Sequence, residues 1–266
     1  MSTLSKPRII DLEITNLCQA DCSFCPREKI SRPLGKMSHT TLQEIIPKLQ
    51  ALDPYVINIS GMGECLLHNG LNTFLKEIKS SIPCALGITT NGLLLDSKHS
   101  KDLLKIPDFI TISYNGDEQV LQNIKKTAAL SKNISTPLHL TTLKNLKPQQ
   151  LKELCQNTGV QGIISQQLHN RGGYLKEDMP HRSFNSPCQI FNNSLFITWE
   201  GKVLSCCHDL EGKNSLGDLT KTSLQKILEY RQKKIKIINP FPICHKCNDA
   251  LRKNYFAKAR FYSCKK

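Results

Sequence analysis

Along the first two-thirds of the chain, apolar runs rich in β-branched residues alternate with longer amphipathic stretches. The runs Ile9–Ile14, Val56–Ser60, Ala85–Thr89, Phe109–Ser113, Leu138–Leu143 and Gly162–Gln166 predict six strands. The stretches Thr40–Leu52, Leu71–Ser80, Ser97–Lys105, Gln119–Lys132 and Pro148–Asn157 predict the helices between them. Strands separated by helices of this length are the pattern of βαβ units and a parallel sheet. Six such strands in about 165 residues predict an α/β fold, a partial (β/α)6 TIM-like barrel rather than a full eight-stranded one. In such folds function gathers at the carboxyl ends of the strands. The polar and glycine-rich segments obey that rule. Cysteines follow the first strand, Gly61-Met62-Gly63-Glu64 the second and Asn91-Gly92 the third. Ser113-Tyr114-Asn115-Gly116 closes the fourth, and Asn170-Arg171-Gly172-Gly173 comes soon after the sixth.

After residue 173 the rhythm stops, and residues 174–187 read as a linker. Ser194–Trp199 and Lys202–Leu204, joined by Glu200-Gly201, predict a β-hairpin, and Ser223–Lys234 a helix. The expected division is therefore a core over residues 1–173 and a small cysteine-bearing domain over 174–266.

The cysteines change the picture most. Twelve are present, and no run of apolar residues is long enough to span a membrane. Residues 1–7 lack the apolar centre of a signal peptide, so a cytoplasmic, reducing location is expected. There, cysteines read as metal ligands more readily than as disulfides. Cys18, Cys22 and Cys25 have the spacing C-x3-C-x2-C on one loop. Three thiolates leave one iron of a four-iron cubane free to hold a small molecule. Cys188, Cys206, Cys244 and Cys247 form a second group, enough to saturate a cluster or to build a zinc ribbon. Cys65, Cys84, Cys155, Cys207 and Cys264 are scattered. The net charge of +14 is concentrated at the end of the chain, where residues 231–266 hold eleven Lys/Arg and one acid. That tail reads as a solvated basic face, or as a docking surface for an acidic redox protein or an anionic substrate. Nucleic acid is a minor option, because no stacking-aromatic motif of an RNA module appears.

These motifs, in this order, resemble a radical S-adenosylmethionine (SAM) enzyme with a C-terminal Twitch or SPASM-type auxiliary-cluster domain. The likeness includes Phe24 just before the third cysteine of the loop and the run Cys188-x12-Gly201-x4-Cys206. It implies a SAM-binding [4Fe-4S] cluster on Cys18, Cys22 and Cys25, with cleavage of SAM to a 5′-deoxyadenosyl radical that abstracts hydrogen from substrate. It implies a second, fully ligated auxiliary [4Fe-4S] cluster on Cys188, Cys206, Cys244 and Cys247, with Cys206 preferred over Cys207. Gly61, Met62, Gly63 and Glu64 resemble the family's Gly-Gly-Glu element, Glu64 pairing with the SAM ammonium group, although Cys65 stands where a proline is usual. Asn91, Ser113 and Asn115 are the further SAM contacts implied, and Arg171 the residue aimed at a ligand. A closed auxiliary cluster suits a reaction in which the substrate radical loses an electron. The expected function is thus dehydrogenase-type oxidation of a small polar or sugar-like substrate, as in the 2-deoxy-scyllo-inosamine dehydrogenases. A flavodoxin- or ferredoxin-like electron partner is expected, and no membrane. The alternatives are peptide modification, epimerisation with a cysteine hydrogen donor, and a silent iron–sulfur or zinc module. A first strand starting near residue 8 leaves no expected room for a leader-binding domain.

Overall fold

The computed structural model describes residues 4–95, 101, 103–131, 134, 136–142, 147–165, 169–175, 185–249 and 260–263. Six strands run parallel in sequence order: β1 (Ile9–Leu12), β2 (Val56–Ile59), β3 (Ala85–Thr90), β4 (Phe109–Ser113), β5 (Leu138–Thr142) and β6 (Gly162–Ser165). Between them lie α1 (His39–Leu52), α2 (Leu71–Ser81), α3 (Glu118–Ser131) and α4 (Pro148–Thr158). The expected helix Ser97–Lys105 falls largely outside the described residues.

The strands alternate as their sequences do. Ile10, Leu12, Ile57, Ile59, Leu86, Ile88, Ile110, Ile112, Leu138 and Leu140 are all fully buried in one core with the helices. The other set includes Asp11, Asn58, Thr89, Thr111, Ser113, His139 and Thr141. These polar residues belong to the opposite, concave face of the sheet, where Asn58 Nδ2 donates to Thr89 Oγ1 at 3.1 Å and Ser60 Oγ to Asp11 Oδ1 at 3.0 Å. Helix α1 follows from Ser38, whose hydroxyl accepts the Thr41 amide, and from Leu42, Ile45, Ile46, Leu49 and Leu52, buried at helical spacing.

The sheet does not stop at the expected domain boundary. After α5 (Gln189–Asn193), β7 (Ser194–Ile197) pairs in parallel with the outer edge of β1, Ile10 opposite Leu195. β8 (Lys202–Leu204) and β9 (Ser215–Asp218) continue it antiparallel. At the other end β10 (Arg260–Ser263) pairs antiparallel with β6. The order is β10-β6-β5-β4-β3-β2-β1-β7-β8-β9, a ten-stranded sheet with two ends, consistent with a partial barrel. β1 therefore lies between the core and the C-terminal strands, and the cluster loop begins directly after it.

The basic tail is only partly a solvated face. Arg231, in α6 (Leu224–Gln232), is fully buried. Its guanidinium donates to the Ser5, Phe191 and Asn192 carbonyls at 3.1, 2.8 and 2.7 Å and lies 5.4 Å from the Phe191 ring centroid. Burial lowers its pKa to about 10, and the carbonyls are its compensation. Replacing it leaves three carbonyls without a donor. Arg231→Met should lower unfolding stability by about 2–4 kcal/mol, read as an earlier denaturation midpoint. An unchanged midpoint would show that water replaces the guanidinium.

Candidate functional site

The site is assembled from the three loops that leave β1, β2 and β3. Glu13, one residue past β1, is fully buried and pairs bidentately with the buried Arg32, both contacts at 2.6 Å. Burial pushes the Glu13 carboxyl up; the Arg32 guanidinium and the Met62 amide, donating at 3.1 Å, oppose that rise. The ion pair thus seats the Gly61-Met62-Gly63-Glu64 loop on β1. Gly61 takes φ +140° with Glu13 directly beneath it. At Gly63 a Cβ would sit 2.3 Å from the Thr15 carbonyl and 2.7 Å from the Leu17 carbonyl, so only glycine lets the two loops touch. The Glu64 amide then donates to the Leu17 oxygen at 2.8 Å, one residue before the first cysteine.

Glu64 is 2% exposed. Its Oε1 accepts the Leu66 amide at 3.0 Å and the Thr90 hydroxyl at 2.7 Å, and its Oε2 accepts the Asn91 amide at 2.7 Å. Burial raises its pKa against those donors, leaving a carboxylate suited to a cationic ligand. Asn91 ties the third loop to the first: its Nδ2 approaches Cys18 Sγ at 3.6 Å, and its Oδ1 accepts Gln19 Nε2 at 3.4 Å. Within the cysteine loop the Cys25 amide donates to the Cys22 carbonyl at 2.9 Å. Burial raises the Cys22 thiol, and neighbouring Cys25 and Cys18 push it the same way, so the three thiols lie close together. Phe24 is half-buried in the same turn. Ser113 ends β4 beside Thr141; Asn115 is exposed, its Oδ1 capping the Asp117 amide at 3.1 Å.

The second cysteine group gathers at the other side of β1. Cys188 precedes α5, and Cys206 lies in the turn between β8 and β9. Burial drives the Cys206 thiol well up, and Cys207, Cys247 and Cys188 add to the rise, so Cys206 lies near Cys188 and Cys247. Among the described residues the one His/Cys/Asp/Glu group of three or more with ligand atoms within 4.8 Å of one another is His169, His208 and Asp249. The donor sets themselves, three thiols on one loop and four in the second group, are the thiolate chemistry that iron–sulfur clusters take.

The His169, His208 and Asp249 group is bonded as a hydrogen-bond network. The Arg171 amide donates to His169 Nδ1 at 3.2 Å, which puts the ring proton on Nε2, 3.6 Å from Asp249 Oδ2. His208 Nε2 donates to the same oxygen at 3.0 Å. Burial takes His169 down to about 4. It also acts to lower His208, but Cys207 and Asp249 outweigh it and lift His208 to about 9. One histidine is therefore neutral and the other cationic across a shared carboxylate. Arg171 itself has φ 50°, and its Nη2 lies 3.2 Å from Met62 Sδ. This brings the turn after β6 to the loop after β2.

The pattern along the chain did not point to Glu13, Arg32, Thr90, His169, His208 or Asp249. Two acids inside the apolar first strand, Asp11 and Glu13, were a signal for Glu13, and a place two residues after Cys206 and Cys247 a signal for His208 and Asp249. Of the scattered cysteines, Cys65 is buried and donates to the Thr89 carbonyl at 3.3 Å. Cys155 is disulfide-bonded, Cys84 lies at the amino end of β3, and Cys264 is outside the described residues.

Known proteins match the same regions. A model of the radical SAM superfamily matches residues 12–154, and one of the SPASM iron–sulfur cluster-binding domain matches residues 188–248. The S-adenosyl-L-methionine-dependent 2-deoxy-scyllo-inosamine dehydrogenase of Niallia circulans is 26% identical over 226 residues, 82% of this chain and 81% of that protein. A probable GTP 3′,8-cyclase of Methanococcus vannielii is 34% identical over 99 residues, 37% of this chain and 33% of that one. In fold, the chain is similar to BtrN in complex with AdoMet and 2-DOIA, with TM-score 0.72 and 22% identity over 94% of this chain and 95% of that one. It is also similar to anSMEcpe with bound AdoMet, with TM-score 0.56 and 14% identity over 86% and 80%.

The loop contact at Gly63 can be broken by one methyl group. Gly63→Ala should push the loop after β2 off the cysteine loop and roughly halve the iron bound after anaerobic reconstitution, from about eight to about four per chain. Full iron content in that variant would mean the loops do not need to touch.

Proposed function

The chain belongs to the radical SAM superfamily, and on that premise we propose that it oxidises an alcohol of a small, polar, sugar-like molecule to a ketone. It is a radical SAM enzyme with a SPASM-type domain, using SAM and [4Fe-4S] clusters. When bound, SAM and the first cluster supply the hydrogen-abstracting radical, and the auxiliary cluster an electron acceptor. Oxidising a secondary alcohol removes a hydrogen atom from carbon, a proton from oxygen and one electron. That balance needs a one-electron acceptor, a role that a cluster fully ligated by four cysteines would fill without binding the substrate, and solvent to take the proton.

In this reading Cys18, Cys22 and Cys25 hold the first cluster, and Cys188, Cys206, Cys244 and Cys247 the auxiliary one. Glu64 holds the ammonium group of SAM, with Gly61, Met62, Gly63, Asn91, Ser113, Asn115 and Phe24 around it. Arg171 binds the substrate oxygen. A guanidinium does not give up its proton near neutral pH, so its part is to orient the hydroxyl and favour its ionised form. The single observation that carries the substrate class is the polar carboxyl-end half of the concave face, where Asp11, Asn58, Thr89, Thr111, Ser113, His139 and Thr141 turn away from the helices, while Ile9, Val56 and Phe109 lie toward the amino ends. A hydroxyl-rich ring suits such a lining, and an apolar one does not. The likeness over 82% of this chain to a 2-deoxy-scyllo-inosamine dehydrogenase supports the same class. A flavodoxin- or ferredoxin-like protein would exchange electrons with the clusters.

Anaerobically reconstituted enzyme, given SAM, a reductant and 2-deoxy-scyllo-inosamine as the probe, should form one 5′-deoxyadenosine per product, each product lighter by two hydrogens. A product of unchanged mass in ordinary water that takes up deuterium in heavy water would establish epimerisation instead. Arg171→Lys keeps the charge but loses the planar fork, and should cut kcat/KM for the probe roughly 10- to 100-fold. Wild-type kinetics would remove Arg171 from the substrate.

A further inference from the structure

We infer that the loop carrying Cys244 and Cys247 is a positioning clamp for Arg171, so that filling the auxiliary site and aiming Arg171 are linked. The inference rests on the proposed substrate role of Arg171 only for its functional consequence; the clamp itself stands on geometry.

Arg171 sits in the left-handed region at φ 50°, a conformation that a side-chain-bearing residue keeps only when its surroundings impose it. Besides the turn's own bonds, from the Gly173 and Leu175 amides to the Asn170 carbonyl at 2.9 and 3.1 Å, most of those surroundings come from one segment. The Asn170 amide donates to Asn248 Oδ1 at 2.7 Å, and the Asn248 amide returns a bond to Asn170 Oδ1 at 3.3 Å. Asn170 Nδ2 donates to the Lys246 carbonyl at 2.7 Å. His169 lies 3.6 Å from the Asp249 carboxylate, which His208 holds from the other side. The two glycines complete the fit. A Cβ on Gly172 would meet Ile243 at 2.8 Å, and one on Gly173 would meet Lys246 Cβ at 2.8 Å.

Residues 169–173 are thus gripped from both ends by residues 243–249, which bracket the last two thiols of the second group. The Arg171 side chain makes no hydrogen bond to the clamp; its Nη2 reaches Met62 instead, and its Nε is buried with no partner among the described residues. Its direction is therefore set by that contact together with the backbone of the turn, which the clamp grips. A ligated Cys247 anchors Asn248 and Asp249 one and two residues away. An unligated one leaves them on a short loop with a single 3-10 turn, Pro242–His245, before it.

Hydrogen–deuterium exchange of the iron-loaded enzyme tests this. Asn248→Ala removes the reciprocal bonds without touching a thiol. It should keep about eight irons per chain and speed exchange over residues 169–175 by about tenfold, with residues 9–14 and 56–67 unchanged. The Cys244→Ala, Cys247→Ala double variant should show the same local acceleration with about four irons. With 2-deoxy-scyllo-inosamine as probe, Asn248→Ala should lower kcat/KM by about tenfold with most of the loss in kcat, because Arg171 acts on the orientation and ionisation of the reacting hydroxyl. Wild-type exchange over 169–175 in Asn248→Ala would overturn the clamp. Accelerated exchange together with wild-type probe oxidation by Arg171→Lys would leave the clamp standing and remove the substrate role of Arg171.

Discussion

The Glu13–Arg32 ion pair is the constraint on which the site depends. Two opposite charges, 0% and 8% exposed, meet at 2.6 Å in a place no water solvates well. Such a pair gains little over apolar packing, but losing either member strands the other, at roughly 3–5 kcal/mol. Its value here is directional. Glu13 has oxygen to spare, accepts the Met62 amide, and thereby fixes the height at which the loop after β2 crosses the end of β1. Gly63 then meets the Thr15 and Leu17 carbonyls, and Glu64 is delivered to Thr90 and Asn91. Cysteine loop, carboxylate and asparagine form one continuous set of contacts with the ion pair at its base.

β1 carries a second burden. It is hydrogen-bonded to β2 on one side and to β7 on the other, so the two halves of the chain share a strand as well as an interface. The Glu13 amide donates to the Ile197 carbonyl at 2.8 Å, extending that pairing past the strand itself. Trp199 lies against Gly35 and donates to the Pro33 carbonyl at 3.2 Å, so the hairpin also braces the segment after the cysteine loop. Arg231 pins α6 to Ser5 and α5, and Lys48 of α1 donates to the Leu219 and Thr222 carbonyls beyond β9. A sheet built this way places both cysteine groups on one continuous support.

The six parallel strands and most of the helices were legible because period-2 and period-3.6 burial writes itself into local sequence, and their bounds fall within one or two residues of the expected ones. The hairpin Ser194–Ile197 and Lys202–Leu204 was legible for the same reason, through Glu200-Gly201. β9, β10 and α5 were not. Ser-Leu-Gly-Asp of β9 has no alternation to read, and β10 sits in a tail whose charge reads as solvent-facing. The solvated-face reading also missed Arg231, because a guanidinium buried on three carbonyls is chemically identical in sequence to one in water.

Chemistry carried on one loop could be read from the chain alone. Three thiols at C-x3-C-x2-C, a Gly-x-Gly-Glu element and a four-cysteine series are short-range patterns, set by how few backbone shapes bring such groups together. Their order along a βαβ rhythm pointed to the superfamily before any contact was known. What joins these pieces lies between residues far apart in sequence: Glu13 with Arg32, Asn170 with Asn248, and His169 and His208 with Asp249. Each depends on the angle and register at which two loops meet, and those are settled only when the sheet twists and the helices pack beneath it. Composition and spacing determined which atoms this protein brings to its chemistry, since thiols, carboxylates and glycines have few other uses in such patterns. The tertiary structure decided their aim, because direction in a folded chain is a property of packing.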